Sequence, residues 1–179
     1  VSLIQTVQYD TIYHEHMRYY SLTSLDYLFK KYGLKIFYAK KISTHGGSIR
    51  VYVAKNKEYK KDKSVTKILN YEKKYLTNKN FINFRKKVVL SKMNLHALLK
   101  KIKTNNKKIL GIGAPSRAAT LVNYVGLNED IIDCILEING SYKIGKYMPG
   151  TNIPIINEKY FRQYKPDYLL LLSWHISEQ

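Results

Sequence analysis

Cysteine is almost missing from this chain, since Cys134 is the only one among 179 residues. One thiol excludes a disulfide framework within the chain, and it excludes a zinc site of several cysteines. This usage fits a reducing compartment, so we predict a cytoplasmic location. Long apolar runs are missing too: the longest, from Tyr168 to Trp174, is far shorter than the roughly 20 residues of a membrane helix. The first residues lack the basic-then-apolar pattern of a signal peptide, so no membrane partner is expected.

Acidic residues are scarce, because 13 aspartates and glutamates stand against 31 lysines and arginines, which gives a formal net charge of +18. Such a charge favours an anionic partner, and polyphosphates, nucleic acids and acidic membrane surfaces all qualify. The lysines, however, are scattered as pairs among Asn, Tyr and Ile rather than gathered into one stripe. A spread of this kind is more typical of a solvated surface than of a nucleic-acid groove. A basic nucleic-acid-binding protein is therefore the less favoured alternative.

The first part of the chain, residues 1–58, predicts one helix followed by two antiparallel strands. Apolar residues recur at helical spacing in SLTSLDYLFKKYGL, with Thr23 or Ser24 as the N-cap and Gly33 at the end. The segments KIFYAKKI and SIRVYVAK are rich in β-branched and aromatic residues, and the turn-like STHGG separates them. Two such runs with a short connection predict a β-hairpin.

The second part, residues 59–105, is lysine-rich and predicts a helical linker. Apolar residues recur on one face of the predicted helices. Their positions are Val65, Ile68, Leu69, Leu76, Val88, Leu95, Leu98, Leu99 and Ile102. The sequence LTNKN, from Leu76 to Asn80, is expected to break the helical stretch.

The third part, residues 106–179, alternates strand and helix patterns. An apolar strand around Ile109 and Leu110 leads through a glycine-containing turn into a helix with an apolar face. IIDCILEIN predicts a second strand, NEKYFRQYK a helix, and PDYLLLLSW a strand apolar enough to be buried on both faces. Strands that alternate with helices form a parallel sheet with helices on its faces. The predicted fold class is therefore α/β, with a Rossmann-like parallel-sheet domain at the C-terminal end.

The turn after the first of these strands is the predicted ligand edge. Amide groups at such a turn and the N-terminus of the following helix together attract an anion. The residues at this edge are Gly111, Gly113, Ala114, Pro115, Ser116 and Arg117. The spacing Gly-Ile-Gly-Ala-Pro is not a complete Gly-x-Gly-x-x-Gly fingerprint, so dinucleotide binding has little support. Phosphate binding by this turn is favoured over a purely structural role of its glycines.

Four motifs, in this order, carry a resemblance to a known family. They are YDTIYHEHMRYYSLTSLDYLFKKYGLKIF, THGGSIRVYVA, GIGAPSRAATLVNYVGL and KIGKYMPGTNIPI. Together they resemble the C-terminal portion of the S-adenosylmethionine-dependent sugar C-methyltransferases, which methylate a ring carbon of a keto-sugar carried on a nucleoside diphosphate. The resemblance covers nearly the whole chain. It implies that the first part closes the methyltransferase domain, its hairpin completing that domain's sheet, and that the third part helps to hold the nucleotide-sugar.

The family's cofactor-binding region has no counterpart in these motifs. In the family, S-adenosylmethionine sits on a glycine-rich turn of an N-terminal domain, after a small zinc-binding module, and neither precedes Tyr13. The chain runs from Val1 to Gln179, and we expect it to be a piece of a longer protein, without the last helix and strand of its Rossmann-like domain. An aspartate common after the family's second strand is Glu137 here. The resemblance implies that this chain alone is inactive and binds no cofactor, and that the cofactor domain is its partner in cis or in trans.

The sequence YHEH, Tyr13 to His16, is where the resemblance places acid/base chemistry. Methylation of a carbon beside a ketone needs a base for the proton and stabilisation of the enolate oxygen. Histidine has an ordinary pKa of about 6.5, so it is mostly neutral at physiological pH and can accept the proton. His16 is the predicted base, Glu15 its partner or the competing base, and Tyr13 a hydrogen-bond donor to the sugar or the enolate. His14 is expected to point away, since neighbours in an extended segment alternate faces, and is kept as a substrate-binding candidate.

Two other interpretations of YHEH remain open. His14 and His16 could ligate a metal, but His45 is the only further ligand in evidence, so no metal is expected. The histidines could also be ordinary packing residues. Four more substrate contacts are predicted from the neighbouring motifs, namely His45 and Arg50 of STHGGSIRVYV, and Lys143 and Lys146 of the basic loop before IPI. Trp174, after the last strand, is expected to pack in the core.

The sequence thus predicts part of a nucleotide-sugar C-methyltransferase that supplies the general base and a nucleotide-sugar-binding domain. A nucleotide-sugar-binding module without catalysis is the main alternative, and a separate chain would then complete it.

Overall fold

The computed structural model describes residues 1–55 and 59–176, and its backbone forms two compact units. The first unit holds Val1–Gln8 and His16–Lys87, and the second holds Tyr9–Glu15 and Val88–Gln179. The division by packing falls at Lys87, within the stretch predicted as a linker, and it also separates Glu15 from His16. The three-part functional division made from sequence stays a prediction.

The first unit is built from helices and one antiparallel hairpin. In chain order its elements are α1 (Ser2–Gln5), α2 (Leu22–Lys31), β1 (Lys35–Ile42), β2 (Ser48–Ala54), α3 (Lys63–Tyr75) and the beginning of α4 (Asn78–Thr104). The predicted hairpin is confirmed, because β1 pairs antiparallel with β2, with Lys35 opposite Ala54 and Ile42 opposite Ser48. Buried side chains of the helices and of β1 form the core, which contains Leu22, Ile36, Ala39, Val65 and Ile68.

Both ends of α2 are set by local sequence. Ser21, rather than Thr23 or Ser24, is the N-cap: its hydroxyl accepts the Ser24 amide, and the Ser24 hydroxyl accepts the Ser21 amide. The prediction missed this because Ser24 sits three residues inside the helix and completes a reciprocal capping box. The predicted end is confirmed, since Gly33 follows the helix with φ of +68°, a conformation that costs glycine little.

A buried carboxylate of α3 also stabilises the start of α2. Glu72 is only 3% exposed, and its oxygens accept the amides of Leu22 and Thr23 at 2.8 Å and the Thr23 hydroxyl at 2.7 Å. These amides belong to the first turn of α2, where they have no partner within the helix. A negative charge is favoured at this end of a helix dipole. Glu72 therefore joins α3 to α2 through hydrogen bonds as well as through the apolar core.

The long helical stretch breaks where the sequence predicted. α3 ends at Tyr75 and α4 begins at Asn78, whose neighbour Thr77 accepts the Asn80 amide through its hydroxyl. The predicted apolar face is only partly buried: Leu99 is 3% exposed but Leu98 is 55% exposed. Because residues one position apart lie 100° apart around a helix, both cannot face the same core. Across the described residues, no helix combines the length and the apolar content that a membrane crossing needs.

The second unit contains a parallel sheet, which confirms the predicted α/β, Rossmann-like class. Its elements after α4 are β3 (Ile109–Ile112), α5 (Ser116–Val125), β4 (Cys134–Glu137), β5 (Ile155–Asn157), α6 (Phe161–Tyr164) and β6 (Tyr168–Leu171). The described strands lie in the order β5-β4-β3-β6, and each neighbouring pair is parallel. The segment Tyr9–Glu15 packs on this unit, mainly against α5.

The two faces of this sheet are covered unequally. One face is buried by α5 and by Leu99 of α4, and its core includes Ile109, Val122, Ile135 and Ile155. On the other face Leu110, Cys134 and Leu136 are buried, with Tyr164 of α6 packed against them. The prediction that PDYLLLLSW is buried on both faces is wrong, since Tyr168, Leu169 and Leu171 of β6 are 49%, 44% and 40% exposed. Among the described strands β6 pairs only with β3, so it lies at an edge of the sheet.

Candidate functional site

The carboxyl ends of β3 and β6 form the switch point of the parallel sheet. β4 lies on one side of β3 and β6 lies on the other, so the strand order reverses its direction between β3 and β6. In open α/β sheets, ligands and functional side chains gather at such a position. The turn predicted from sequence, Gly111 to Arg117, lies here at the end of β3 and the start of α5.

Close packing requires glycine at two positions of this turn. A side chain at Gly111 would place its Cβ 2.9 Å from Ile135 and 3.1 Å from Leu172. Gly113 has φ of +75°, and a Cβ there would lie 2.7 Å from the Ser173 hydroxyl. Contacts under 3 Å are not tolerated by packed atoms, so close approach of β4 and of the chain after β6 requires both glycines. Substrate contact at either glycine stays a prediction.

Two charged side chains from outside the turn bind its residue Ala114. Glu137, at the end of β4, is 9% exposed and accepts the Ala114 amide at 2.6 Å. Lys143 donates from Nζ to the Ala114 carbonyl oxygen at 2.8 Å. The Glu137 carboxylate oxygen thus occupies the position that a phosphate oxygen would take at the Ala114 amide. The predicted phosphate contact at Ala114 requires Glu137 to move aside, and the predicted cation Lys143 is engaged on the same residue.

The residues just before YHEH, Tyr9 to Ile12, are attached along α5. Arg117 is buried, and its Nε and Nη2 donate to the two carboxylate oxygens of Asp10 at 2.7 and 2.9 Å. Further along the segment, the Thr120 hydroxyl donates to the Ile12 carbonyl oxygen at 3.3 Å. Tyr9 packs its ring against that of Tyr124, 5.3 Å between centroids.

Trp174 completes the environment of this ion pair. Its indole Nε1 donates to Asp10 Oδ2 at 2.9 Å, and the Arg117 guanidinium carbon lies 4.6 Å from the centroid of its ring. The Arg117 and Asp10 side chains are each 6% exposed. A buried charge needs this degree of pairing, because desolvation is otherwise costly. Arg117 was predicted to bind substrate phosphate, but its described contacts are to Asp10 and Trp174, and a substrate contact stays a prediction.

Glu15 is held at the same helix end by a neighbouring residue. The Ser116 hydroxyl donates to Glu15 Oε1 at 2.9 Å, and the Tyr13 hydroxyl donates to Oε2 at 3.4 Å. His14 Nε2 lies 3.8 Å from Oε1, and the His14 side chain is 82% exposed. The structure therefore brings Tyr13, His14, Glu15 and Ser116 together at the predicted ligand edge.

His16 belongs to the first unit and is exposed. Its ring lies edge-on to that of Tyr19, with 6.4 Å between centroids. It follows Glu15 directly in the chain, so the predicted base and its predicted partner are consecutive residues of different units. The role of His16 as base stays a prediction.

The remaining predicted substrate contacts lie on loops and on the hairpin. Arg50 is exposed on β2, opposite Lys40. The side chain of His45 lies outside what the structure describes. Lys146 is exposed and lies 5.0 Å from the centroid of the Tyr142 ring. In the described parts of the chain, no three His, Cys, Asp or Glu residues are grouped as metal ligands would be.

Sequence reasoning missed Asp10 and misjudged Trp174. Asp10 is one of only 13 acidic residues and lies in the mixed polar and apolar stretch QTVQYDTIY. No local pattern there distinguishes a buried aspartate from an exposed one. Trp174 was expected to pack in the core, yet it is partly exposed and donates its N–H to Asp10. An indole that is only partly buried commonly has a polar partner.

The fold defines a Rossmann-like α/β domain with a candidate site at the end of β3. Comparison with known proteins identifies the family to which such a domain belongs. The model of the C-methyltransferase C-terminal domain matches residues 43–179. The chain belongs to this family, which confirms the resemblance read from the motifs. A relative, C-methyltransferase NovU of Streptomyces niveus, is 30% identical over 182 aligned positions, which cover all of this chain and 43% of that protein. The chain thus spans less than half the length of the curated relative that it matches.

Proposed function

We propose that this chain is the acid/base and substrate-holding part of an S-adenosylmethionine-dependent C-methyltransferase that acts on a nucleoside-diphosphate keto-sugar. Family membership supports the reaction class. The observation that carries the rest is the attachment of residues 10–15, which include Tyr13, His14 and Glu15 of YHEH, to the start of α5, where Ser116 and Arg117 bind Glu15 and Asp10. A cofactor domain, in cis or in trans, and a cytoplasmic location belong to the proposal.

The chemistry assigned to this chain is removal of a proton from the carbon beside the ketone. The base takes the proton, the C–H electron pair becomes the enolate, and the negative charge rests mainly on the former ketone oxygen. We assign the base to His16, since neutral imidazole accepts a proton near physiological pH. Tyr13 is the assigned donor to the enolate oxygen or to the sugar, a contact for which its hydroxyl turns away from Glu15 Oε2. S-adenosylmethionine, when bound by the cofactor domain, supplies an electrophilic methyl group to the enolate carbon.

The contacts of Glu15 support a role as partner rather than as base. Both of its oxygens already accept hydrogen bonds, from Ser116 and from Tyr13. A carboxylate whose two oxygens are engaged by donors would have to leave these contacts before it could take a proton from the substrate. A fixed negative charge beside the base would stabilise the imidazolium that forms when the proton is taken. His14, largely exposed beside Glu15, is assigned to substrate contact.

We assign the turn after β3 to the substrate side of the site, because Ser116 holds Glu15 there. The Ala114 amide of this turn is donated to Glu137. We place the cofactor on another domain, as the family resemblance implies. The nucleotide-sugar is assigned to the same edge of the sheet, near Lys143 and Lys146, with Glu137 displaced where a phosphate takes the Ala114 amide.

The test is solvent exchange in the enzyme that contains this chain and its cofactor domain. The keto-sugar nucleotide is incubated in deuterated water without S-adenosylmethionine, and deuterium at the carbon beside the ketone is followed by NMR. Exchange is expected, because proton removal needs only the base and a site for the enolate. His16→Ala should slow exchange by roughly 10² to 10⁴, the usual effect of a positioned acid/base group. His14→Ala is the matched control and should change the rate much less.

Other outcomes assign the function differently. If Glu15→Gln abolishes exchange while His16→Ala retains it, the carboxylate is the base. Tight binding of keto-sugar nucleotides without any exchange or methylation supports the non-catalytic binding module. Equal loss in both histidine variants together with inhibition by a chelator indicates a metal site.

A further inference from the structure

The segment Asp10–Glu15 is fixed at both ends by consecutive residues of one helix. Arg117 binds Asp10 through two hydrogen bonds, and Ser116 binds Glu15 through one. Ser116 and Arg117 are the first two residues of α5. The segment therefore spans the N-terminal turn of this helix as a short loop with two attachment points, and the position of Glu15 depends on both.

The attachment at Asp10 is built from three separate parts of the second unit. Asp10 comes from the segment Asp10–Glu15, Arg117 from α5, and Trp174 from the chain after β6. Two N–H groups of Arg117 and the indole N–H of Trp174 all point at one carboxylate. A bidentate pair fixes the direction as well as the distance of its partner. This arrangement defines the orientation of the segment more narrowly than apolar packing would.

We propose that Asp10, Arg117 and Trp174 are positioning residues for the acid/base motif, and that Ser116 transmits this position to the Glu15 carboxylate. The inference rests on the proposed function, since it assigns these residues to the presentation of Glu15 and its neighbour His16. None of the three is assigned a contact with the reacting atoms. They act by holding the segment over the α5 terminus, where the Glu15 charge is also favoured by the helix dipole.

A merely stabilising role predicts different behaviour. Replacement of a buried ion pair by apolar residues is often neutral for stability, so an ion pair held this tightly is more readily explained by orientation. Two neighbouring residues make two different contacts with the segment. The Arg117 guanidinium binds Asp10, and the Ser116 hydroxyl binds the Glu15 carboxylate. Loss of either contact should impair chemistry without removing the substrate site.

The central variant is Trp174→Phe, which keeps an aromatic face for Arg117 and removes the N–H donated to Asp10. In the enzyme that contains this chain and its cofactor domain, exchange of the proton beside the ketone should slow about tenfold, with the KM for the sugar nucleotide nearly unchanged. Ser116→Ala should do the same by releasing Glu15. Glu129→Ala is the control, because it removes the side chain that accepts from Asn152 in the same unit and leaves the segment alone.

A readout without catalysis separates this inference from the proposed function. The amides of Ile12 and Tyr13 donate within the segment, to Tyr9 and Thr11, so their hydrogen exchange in this chain reports its order. Both amides should lose protection in Trp174→Phe while Cys134 stays shielded from thiol reagents, which shows that the sheet remains folded. Unchanged protection of these amides, or an unchanged exchange rate at the ketone in an active enzyme, overturns the positioning role. If the wild-type enzyme exchanges no proton but the amides respond as expected, the proposed function fails and the positioning of the segment stands.

Discussion

Replacement of Arg117 by methionine is the perturbation whose magnitude the structure defines best. Methionine keeps an unbranched side chain of similar length but removes the charge and all donors. The Asp10 carboxylate, on a side chain that is 6% exposed, would keep the Trp174 N–H and lose two hydrogen bonds of 2.7 and 2.9 Å. Removal of one partner from a buried ion pair costs about 3–5 kcal/mol, because the other charge stays buried without compensation. We expect Arg117→Met to lower the free energy of unfolding of the second unit by this amount.

Urea denaturation followed by tryptophan fluorescence is the assay, since Trp174 is the one tryptophan of the sequence and contacts the pair directly. Arg162→Met on α6 is the matched control: Arg162 is exposed, and its loss should stay within about 0.5 kcal/mol. Adding Asp10→Asn to Arg117→Met should recover part of the loss, because it removes the uncompensated charge. A loss below about 1 kcal/mol for Arg117→Met, or strict additivity in the double variant, refutes the reasoning that the pair is buried and coupled.

Three further predictions follow from buried groups. Glu72→Gln should destabilise the first unit by about 1–3 kcal/mol, because an amide replaces a carboxylate that accepts three hydrogen bonds at the start of α2. Chemical denaturation monitored by circular dichroism measures this loss, with a substitution of the exposed Glu158, Glu158→Gln, as the control. Equal stability of the two variants contradicts the prediction. Burial raises the pKa of the Cys134 thiol from 9.0 to about 11, so between these pH values the folded state keeps a proton that the unfolded state has lost. The free energy of unfolding of the wild type relative to Cys134→Ala should therefore fall as the pH rises from 9 to about 11. A difference that does not change with pH contradicts this prediction. Glu137→Gln should tighten binding of a nucleoside diphosphate about tenfold, equivalent to 1.4 kcal/mol, by removing the charge that competes for the Ala114 amide; calorimetry that shows no gain places the diphosphate away from this turn.

The fold was predictable where local pattern and topology agree. β-branched and aromatic runs around STHGG predicted the hairpin β1–β2, and the alternation of apolar strands with helices predicted the parallel sheet. The strand β6 was misjudged, because apolar content alone does not distinguish a central strand from an edge strand. Its exposure depends on which strands pair beside it, and that information is not local.

The candidate site was predictable only in part, for a physical reason. YHEH and the turn after β3 were recognised from their residue types, and the structure brings Glu15 and Ser116 into contact. The ion pair that fixes them joins positions 10 and 117, and no periodicity links two residues so distant in sequence. Similarly, a cation at a helix start favours phosphate binding in isolation, but Asp10 already neutralises Arg117. The local sequence thus correctly marked Arg117 as a cation at the ligand edge, but its partner could be found only from the folded structure.

The most direct test of the central claim is the position of the transferred methyl group. The enzyme that contains this chain and its cofactor domain is supplied with a nucleoside-diphosphate keto-sugar and S-adenosylmethionine carrying a ¹³C-labelled methyl group, and the product is analysed by NMR. The account predicts a new carbon–carbon bond at the carbon beside the ketone, with loss of one proton from that carbon. It also predicts that His16→Ala slows the appearance of this product by roughly 10² to 10⁴. Transfer of the label to an oxygen or nitrogen of the substrate, or formation of the carbon–carbon bond at an unchanged rate in His16→Ala, would contradict it.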